Sequence, residues 1–242
     1  MSPLTTTDEE RELADGNLRI KRWMDEQREL MKGDWDLPIV VTGNERKGKS
    51  SIAFEMALYL DDLFDPVEQT VFAADDFTRK ATKLDKYRAL ILDEAISGGF
   101  SRDAGSGPNK RLAKFLTICG DRNLIMFVLW PNIRWLDPIL KEHRIRFNIH
   151  VERRYKDKAV AKFRLLRDDD ETVYDYPVTL FRFTFPRARG AKWEAYRSAK
   201  RAFVDQVGRG RDDEIETERG DAYEAMKAKV RPILKQLVVA AD

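Results

Sequence analysis

Residues 43–51, GNERKGKSS, combine two glycines, three basic side chains and two hydroxyls directly after an apolar run. The spacing Gly-x-x-x-x-Gly-Lys-Ser is that of a phosphate-binding loop, or P-loop, when a strand precedes it and a helix follows. Glycines let the backbone curl until its N–H groups point at phosphate oxygens, and the helix adds the positive end of its dipole. An ordinary glycine-rich turn is the alternative. The residues predicted to contact a nucleotide are Gly43, Asn44, Glu45, Arg46, Lys47, Gly48, Lys49, Ser50 and Ser51.

A second group of candidate residues follows the apolar run Leu90–Leu92, which ends in Asp93 and Glu94. In a P-loop site Lys49 would place a cation between the β- and γ-phosphates, and the hydroxyl of Ser50 would bind Mg²⁺. Asp93 would hold the same ion through water, as in a Walker B motif, and Glu94 would orient and deprotonate the attacking water. Two solvated carboxylates at a strand end are the alternative. The predicted cofactors are therefore ATP and Mg²⁺.

A polar residue, Asn132, follows the most apolar run of the chain, Leu124–Trp130. If that run is the strand beside the Asp93 strand, Asn132 would lie between the carboxylates and the γ-phosphate and could hold the lytic water. A Pro-Asn turn without catalytic function is the alternative. Kinases of small molecules and GTPases generally lack a carboxylate such as Glu94 beside the Walker B aspartate, whereas motor and switch ATPases generally have it.

The elements that must position these residues alternate between strand and helix. Predicted strands are 38–42, 69–73, 88–92, 124–130 and 145–151, and predicted helices are 50–63 and 109–121, with 75–87 as a short helix or loop and 98–108 as a glycine-rich loop. This alternation predicts an α/β fold with a mostly parallel central sheet flanked by helices. Together with the loop motif at 43–51, it makes a P-loop NTPase the expected fold class.

The two ends of the chain follow a different pattern. Residues 7–32 predict a helical segment that Gly16 divides, and 160–167 with 180–185 predict an antiparallel hairpin joined by the acidic turn 168–177. A basic helix at 192–206, a charged linker at 208–221 and a helix at 222–239 follow, and the last is expected to kink or restart at Pro232. The expected organisation is an N-terminal helical segment (1–36), an ATPase core with an antiparallel extension (37–206) and a linker with a C-terminal helix (207–242).

Charge and composition bound the partners. The chain has 242 residues, a net charge of +2 and one cysteine, so no intramolecular disulfide can form. A polar, acidic N-terminus and the absence of a long apolar run predict a cytoplasmic protein without membrane insertion. The segment 141–201 holds 17 basic and 9 acidic residues. DNA could bind there, and a solvated basic face is the alternative. The candidates for DNA binding are Arg153, Arg154, Lys156 and Lys158.

Residues 37–151 resemble additional-strand P-loop ATPases of the RecA-like class. The features that match are the motifs GNERKGKS, LILDEA and VLWPN, the helix NKRLAKFL, and the segment KEHRIRF that leads into the last parallel strand. The sequence most resembles the FtsK and HerA type DNA pumps and the zonula-occludens-toxin-like ATPases of viruses and plasmids. This resemblance implies ATP hydrolysis coupled to DNA movement by a homo-oligomeric ring, encoded by a mobile element. The chain has little beyond the core for the accessory domains of a large DNA pump.

A ring would need an arginine that reaches the γ-phosphate of the neighbouring subunit, where negative charge develops. Arg122, Arg144 and Arg146 each precede a predicted strand, at the sheet edge opposite the nucleotide. They could therefore act only on a neighbour's site, and surface arginines without this role are the alternative.

Three functional hypotheses follow. The first is an oligomeric ATPase motor or remodeller that acts on DNA. The second is an ATP-dependent switch or assembly factor that binds a protein partner through its charged terminal helices. The third is a nucleotide kinase. Hydrolysis stimulated by DNA, hydrolysis stimulated by a protein partner, and phosphate transfer to a small acceptor distinguish them.

Overall fold

A computed structural model describes residues 7–93, 107–167 and 173–206. Within them the helices cover Asp8–Met31 (α1), Lys49–Leu60 (α2), Ala74–Ala81 (α3), Gly107–Ile118 (α4), Pro138–His143 (α5) and 191–206 (α6). The strands cover Leu37–Thr42 (β1), Thr70–Val71 (β2), Ala89–Leu92 (β3), Ile125–Trp130 (β4), Phe147–Arg154 (β5), Lys158–Arg167 (β6) and Val173–Pro186 (β7).

All seven strands form one sheet in the order β2-β3-β4-β1-β5-β6-β7. The first five pair in parallel, whereas β6 pairs antiparallel with both β5 and β7. The predicted α/β fold, with a mostly parallel sheet and an antiparallel extension, is confirmed. Strand β4 lies between β1 and β3, so the strands that precede Gly43 and Asp93 are separated by one additional strand.

The centre of the sheet is buried on both faces, which is why β1, β3 and β4 are continuous apolar runs. Val40, Leu90 and Met126 join the core cluster that includes residues of α3 and α4. The alternate residues of these strands are also buried, and they point to the other face of the sheet. Helix α2 contacts β1, β3 and β4, so helices cover both faces of the parallel strands.

The N-terminal helix α1 is continuous through Gly16, so the expected division there is wrong. A Cβ atom at Gly16 would lie 1.7 Å from the backbone oxygen of Arg182 in β7. The glycine therefore allows α1 to approach the backbone of β7 closely, and this packing outweighs the lower helix propensity of glycine. The helix starts with a capping box in which Thr7 and Glu10 each bond the other's backbone N–H.

Two further boundaries differ from expectation. Helix α4 starts at Gly107, inside the predicted loop 98–108, whose earlier residues lie outside the described ranges. Strand β7 starts at Val173, inside the predicted turn 168–177, because it pairs with Arg167 of β6. On a partly solvated strand, aromatic and β-branched residues extend the pairing despite the neighbouring charges.

The chain divides into two units, Met1–Tyr196 and Arg197–Asp242. Only 197–206 of the second unit is described, and it is helical. The predicted linker 208–221 and helix 222–239 lie outside the described residues, and the expected boundaries at 36/37 and 206/207 stay predictions. Among the helices that the structure describes, none combines the length and the apolar character needed to cross a bilayer.

Candidate nucleotide-binding site

At two positions, the loop after β1 has a backbone conformation that only glycine adopts easily. Gly43 has φ +139°, and a Cβ atom there would lie 2.7 Å from the carbonyl oxygen of Val151 in β5. Gly48 has φ +111° and forms the N-cap of α2 without a side-chain hydrogen bond to the first turn. No side chain at the N-cap therefore bonds the N–H groups at the start of α2. N–H groups at a helix N-terminus commonly bind phosphate. This part of the chain fits a nucleotide phosphate.

The ammonium group of Lys49 lies across the mouth of this loop. Its Nζ donates to the carbonyl oxygen of Gly43 at 2.7 Å and to that of Asn44 at 3.2 Å. The loop thus holds the cation of Lys49 against its own backbone. A cation in this position complements the negative charge of a phosphate chain.

Ser50 and Asp93 lie together, although they are 43 positions apart in the sequence. The hydroxyl of Ser50 donates to Oδ2 of Asp93 at 3.0 Å, and Asp93 is 1% exposed at the end of β3. A hydroxyl and a carboxylate are oxygen ligands suited to Mg²⁺, which takes its remaining ligands from phosphates and water. In the described ranges no group of three or more His, Cys, Asp or Glu could hold a metal ion. The donor set fits Mg²⁺ bound together with a nucleotide.

Asn132 follows β4 at the same edge of the sheet. The backbone N–H of Gly43 donates to the carbonyl oxygen of Pro131 at 3.3 Å, so the loop after β4 contacts the start of the P-loop. Asn132 is exposed, and its side chain accepts from the N–H of Arg134 at 3.0 Å, which caps a short 3-10 turn. Its role in holding a water stays a prediction. Glu94, the predicted base, lies outside the described residues.

The tip of the β5–β6 hairpin reaches the P-loop. Nη1 of Arg154 donates to the carbonyl oxygen of Arg46 at 2.9 Å. Arg153 forms an ion pair with Glu9 of α1, whereas Lys156 and Lys158 are exposed. Three of the four predicted DNA-binding residues are exposed, namely Arg154, Lys156 and Lys158. Arg154 and Arg153 also have intramolecular partners, in the P-loop and α1 respectively. The sequence contains no signal for the contact between Arg154 and the P-loop.

His150 of β5 lies beside the strand that carries the loop. Its Nδ1 is 3.0 Å from the hydroxyl of Thr42, the last residue of β1. Burial, followed by the charges of Arg164 and Lys162, lowers the pKa of His150 to about 4. The imidazole is therefore neutral at pH 7, and it adds no positive charge behind the P-loop.

The three predicted trans arginines lie at the opposite edge of the sheet. The guanidinium group of Arg122 donates to the carbonyl oxygens of Thr82 and Leu84, at 3.0 and 2.7 Å. Arg144 is largely buried and forms an ion pair with Asp36. Each of these two would have to break intramolecular contacts to reach a neighbouring subunit, and their role in trans stays a prediction.

Arg146 and Arg144 also line a cavity of about 320 Å³ near the starts of β1 and β5. The guanidinium group of Arg146 lies 5.3 Å from the ring centre of Phe147. Trp35 and Arg167 complete the part of the lining that carries aromatic surface and positive charge. Because parallel strands start at this edge and end at the P-loop, the cavity is separate from the candidate nucleotide site.

Sequence reasoning missed one residue of the site, Tyr196 of α6. This side chain is 2% exposed, and its ring is stacked on Trp193. Its hydroxyl, however, donates to Oδ2 of Asp93. The position 103 residues further along the chain carries no motif that could have revealed the contact.

No protein-family model matches this sequence, and no curated protein matches it either. Among solved structures, the chain is similar to the N-terminal domain of zonular occludens toxin from Neisseria meningitidis. The identity is 18%, the TM-score is 0.36, and the match covers 60% of this chain and 95% of that one. At this TM-score the likeness carries no argument about function, which therefore rests on the residues of the site.

Proposed function

We propose that this chain is a Mg²⁺-dependent ATPase. The observation that carries the proposal is the hydrogen bond between Ser50 and Asp93, which joins the P-loop sequence and the acidic strand end at one point. A glycine-rich turn or a pair of solvated carboxylates would not require this contact. The buried position of Asp93 also argues against a solvated strand end.

In this proposal, the N–H groups of the P-loop and of the start of α2 bind the phosphates, and Lys49 neutralises their charge. Ser50 and Asp93 hold Mg²⁺, which supplies further charge stabilisation at the phosphate when bound. Glu94 follows Asp93 directly and accepts the proton of the attacking water, and Asn132 orients that water. The presence of Glu94 favours hydrolysis over phosphate transfer to a small acceptor, as in a nucleotide kinase.

Nucleotide binding is tested with Lys49→Ala, because that change removes the cation held over the loop. We expect calorimetry to detect no tight ATP binding by this variant. Lys86→Ala is the matched control, since the Nζ of Lys86 lies 3.6 Å from Asp34 at the opposite edge of the sheet. Equal ATP affinity of the Lys49→Ala variant and the wild type would refute the nucleotide site.

Hydrolysis is tested with Glu94→Gln, which keeps the shape of the side chain and removes the base. The variant should bind ATP normally and hydrolyse it at least about 100-fold more slowly, which corresponds to roughly 2.7 kcal/mol of activation free energy. Single-turnover measurement of phosphate release gives the rate. Wild-type hydrolysis by this variant would assign the base to another residue.

We further propose that the ATPase works on DNA as an oligomer encoded by a mobile element. The exposed hairpin tip supports the DNA-binding part of this proposal, because it carries Lys156 and Lys158 and contacts the P-loop through Arg154. A phosphate backbone bound at the tip would therefore lie close to the nucleotide loop. Binding through phosphates would be independent of DNA sequence and would weaken with salt.

The double variant Lys156→Glu, Lys158→Glu tests DNA binding without altering the arginine that contacts the P-loop. Its DNA affinity should fall, and the slope of log affinity against log salt should become shallower. The slope should change by about 0.9 for each duplex phosphate that is no longer neutralised, or by about 0.7 on a single strand. The matched control is Lys21→Glu, whose partner Asp25 lies on α1. DNA affinity that responds neither to salt nor to the double variant would exclude the tip.

A second candidate function, an ATP-dependent switch that acts on a protein partner, is favoured by a different observation. Arg153 pairs with Glu9, and Arg182 pairs with Glu9, Glu12 and Glu152, so part of the basic surface is neutralised within the chain. Less positive charge then remains for DNA. Two measurements distinguish the functions: the rate of ATP hydrolysis with and without DNA, and the mass of the oligomer. Only the motor is expected both to form an oligomer and to hydrolyse ATP faster when DNA is present.

The trans arginine is tested by mixing variants. One subunit carries Lys49→Ala and an intact arginine, and its neighbour carries an arginine-to-alanine change and an intact P-loop. The interface between them then contains one intact arginine and one intact P-loop. Activity should return for Arg122, Arg144 or Arg146, whichever acts in trans, once subunits have exchanged. Absence of recovery for all three would leave them as structural or surface residues.

A further inference from the structure

The carboxylate of Asp93 accepts hydrogen bonds from two hydroxyls that come from distant parts of the chain. Ser50 donates to Oδ2 from the start of α2, at 3.0 Å, and Tyr196 donates to the same oxygen from α6. A P-loop hydroxyl beside an acidic strand end is what the nucleotide site requires. The tyrosine hydroxyl is an additional donor, and it comes from α6, which belongs neither to the P-loop nor to the acidic strand end.

Tyr196 is held firmly in this position. It is 2% exposed, and its ring centre lies 4.7 Å from that of Trp193 at an interplanar angle of 17°. Phe54 of α2 and Phe72 lie further around the ring, with centres 6.1 and 6.4 Å away. A tyrosine has only two side-chain torsions, and aromatic packing on several sides restricts both. The packing therefore restricts the direction in which the hydroxyl points, and in that direction it donates to Asp93.

The hydroxyl also has a reason to stay where it is. A buried tyrosine O–H needs a hydrogen-bond acceptor, and an ionised carboxylate is the strongest acceptor that a protein offers. The aromatic rings packed around Tyr196, those of Trp193, Phe54 and Phe72, offer no acceptor of comparable strength. Packing and hydrogen bonding thus favour the same position.

We propose that Tyr196 is a positioning residue for the Mg²⁺ site, which fixes the orientation of the Asp93 carboxylate. This inference rests on the proposed ATPase function, because it assigns Asp93 to the metal. Because the tyrosine holds Oδ2, the carboxylate would keep its orientation if the hydroxyl of Ser50 bound the ion instead of Asp93. Groups that orient a metal ligand in this way typically change metal affinity by about 10-fold to 100-fold when they are removed.

The test compares nucleotide affinity with Mg²⁺ and in EDTA, and we call the ratio of the two the Mg²⁺ enhancement. Calorimetry of the full chain with a non-hydrolysable ATP analogue measures both affinities. In Tyr196→Phe, the Mg²⁺ enhancement should fall by about 10-fold or more, while the affinity in EDTA stays at the wild-type value. The ring and its packing remain, so only the hydroxyl is tested.

Tyr59→Phe is the matched control. The hydroxyl of Tyr59, also in a helix of the first unit, donates to Asp25 on α1. This change removes the same kind of bond from tyrosine to carboxylate at a place away from the P-loop, and the Mg²⁺ enhancement should stay unchanged. In an Asp93→Asn background, Tyr196→Phe should cause no further loss, since the positioned carboxylate is already absent.

Two results would overturn the inference. An unchanged Mg²⁺ enhancement in Tyr196→Phe would show that Asp93 needs no support from the tyrosine. An equal loss of affinity with Mg²⁺ and in EDTA would show a packing role instead. If the variant is too unstable for calorimetry, the rise in unfolding temperature caused by the analogue, with and without Mg²⁺, provides the same comparison.

Failure of the proposed function gives a different result. If the wild type bound no nucleotide, or bound it independently of Lys49, the ATPase proposal would fall and this inference with it. If the wild type bound Mg²⁺ and nucleotide through Lys49 while Tyr196→Phe behaved as wild type, only the role of the tyrosine would be refuted.

Discussion

Gly16→Ala should destabilise this protein, although the same change in an ordinary helix stabilises it. Gly16 lies inside the 24-residue helix α1, where alanine has a higher helix propensity by about 1 kcal/mol. The added Cβ atom would, however, lie 1.7 Å from the backbone oxygen of Arg182. Normal contact between a carbon and an oxygen atom needs roughly twice that separation. Because the obstacle is backbone in the middle of a sheet strand, α1 has to move away.

The magnitude follows from what such a shift disrupts. Overpacking of this kind costs about 1–3 kcal/mol. The shift also breaks the hydrogen bonds between Asn17 and Thr184, which include the N–H of Thr184 donating to Oδ1 at 2.7 Å and Nδ2 donating to the hydroxyl at 2.9 Å. Each such bond contributes about 1 kcal/mol. After subtraction of the gain in helix propensity, the free energy of unfolding should fall by about 2–4 kcal/mol.

Urea denaturation followed by circular dichroism measures this change. The midpoint should move to lower urea concentration at an unchanged slope, and the unfolding temperature should fall by roughly 5–15 °C for a chain of this size. Gly120→Ala is the matched control, since a Cβ atom there meets nothing within 4 Å. A Gly16→Ala variant as stable as the wild type would show that α1 does not lie this close to β7.

Three further outcomes can be checked. The pKa of His150 is about 4 in the folded chain and higher in the unfolded chain, so its contribution to stability is complete above pH 6.5 and is lost as the pH falls towards 4. In the His150→Gln variant, the free energy of unfolding should therefore depend less on pH between these values. Burial raises the pKa of the Cys119 thiol to about 11, so a thiol reagent at pH 8 should label it only after unfolding, and rapid labelling of the native chain would contradict its burial. Arg144→Ala leaves the carboxylate of Asp36 without its partner, so stability should drop by roughly 3 kcal/mol; an unchanged urea midpoint would reveal a dispensable ion pair.

Much of the parallel core could be predicted because its signals are local. The continuous apolar runs of β1, β3 and β4 reflect burial on both faces, and each strand lies within about two residues of its expected position. The P-loop is also a local feature, since eight consecutive residues contain the glycines with positive φ, the lysine and the hydroxyl. Residues 94–106 lie outside the described ranges, so Glu94 stays a prediction from the sequence alone.

The sequence by itself determined which residues could hold a phosphate and a magnesium ion. The residue types fix the side-chain chemistry, and the glycines that allow the loop conformation are close neighbours along the chain. Only the tertiary structure decided which distant residues join them. Periodicity reports that a side chain is buried but not what lies against it, so neither the hydroxyl of Tyr196 on Asp93 nor the guanidinium group of Arg154 on the P-loop could be inferred. The same holds for Gly16, because the need for a glycine there comes from the backbone of Arg182, in a strand far along the chain. Such contacts arise from the packing of whole helices and strands, which no local pattern encodes.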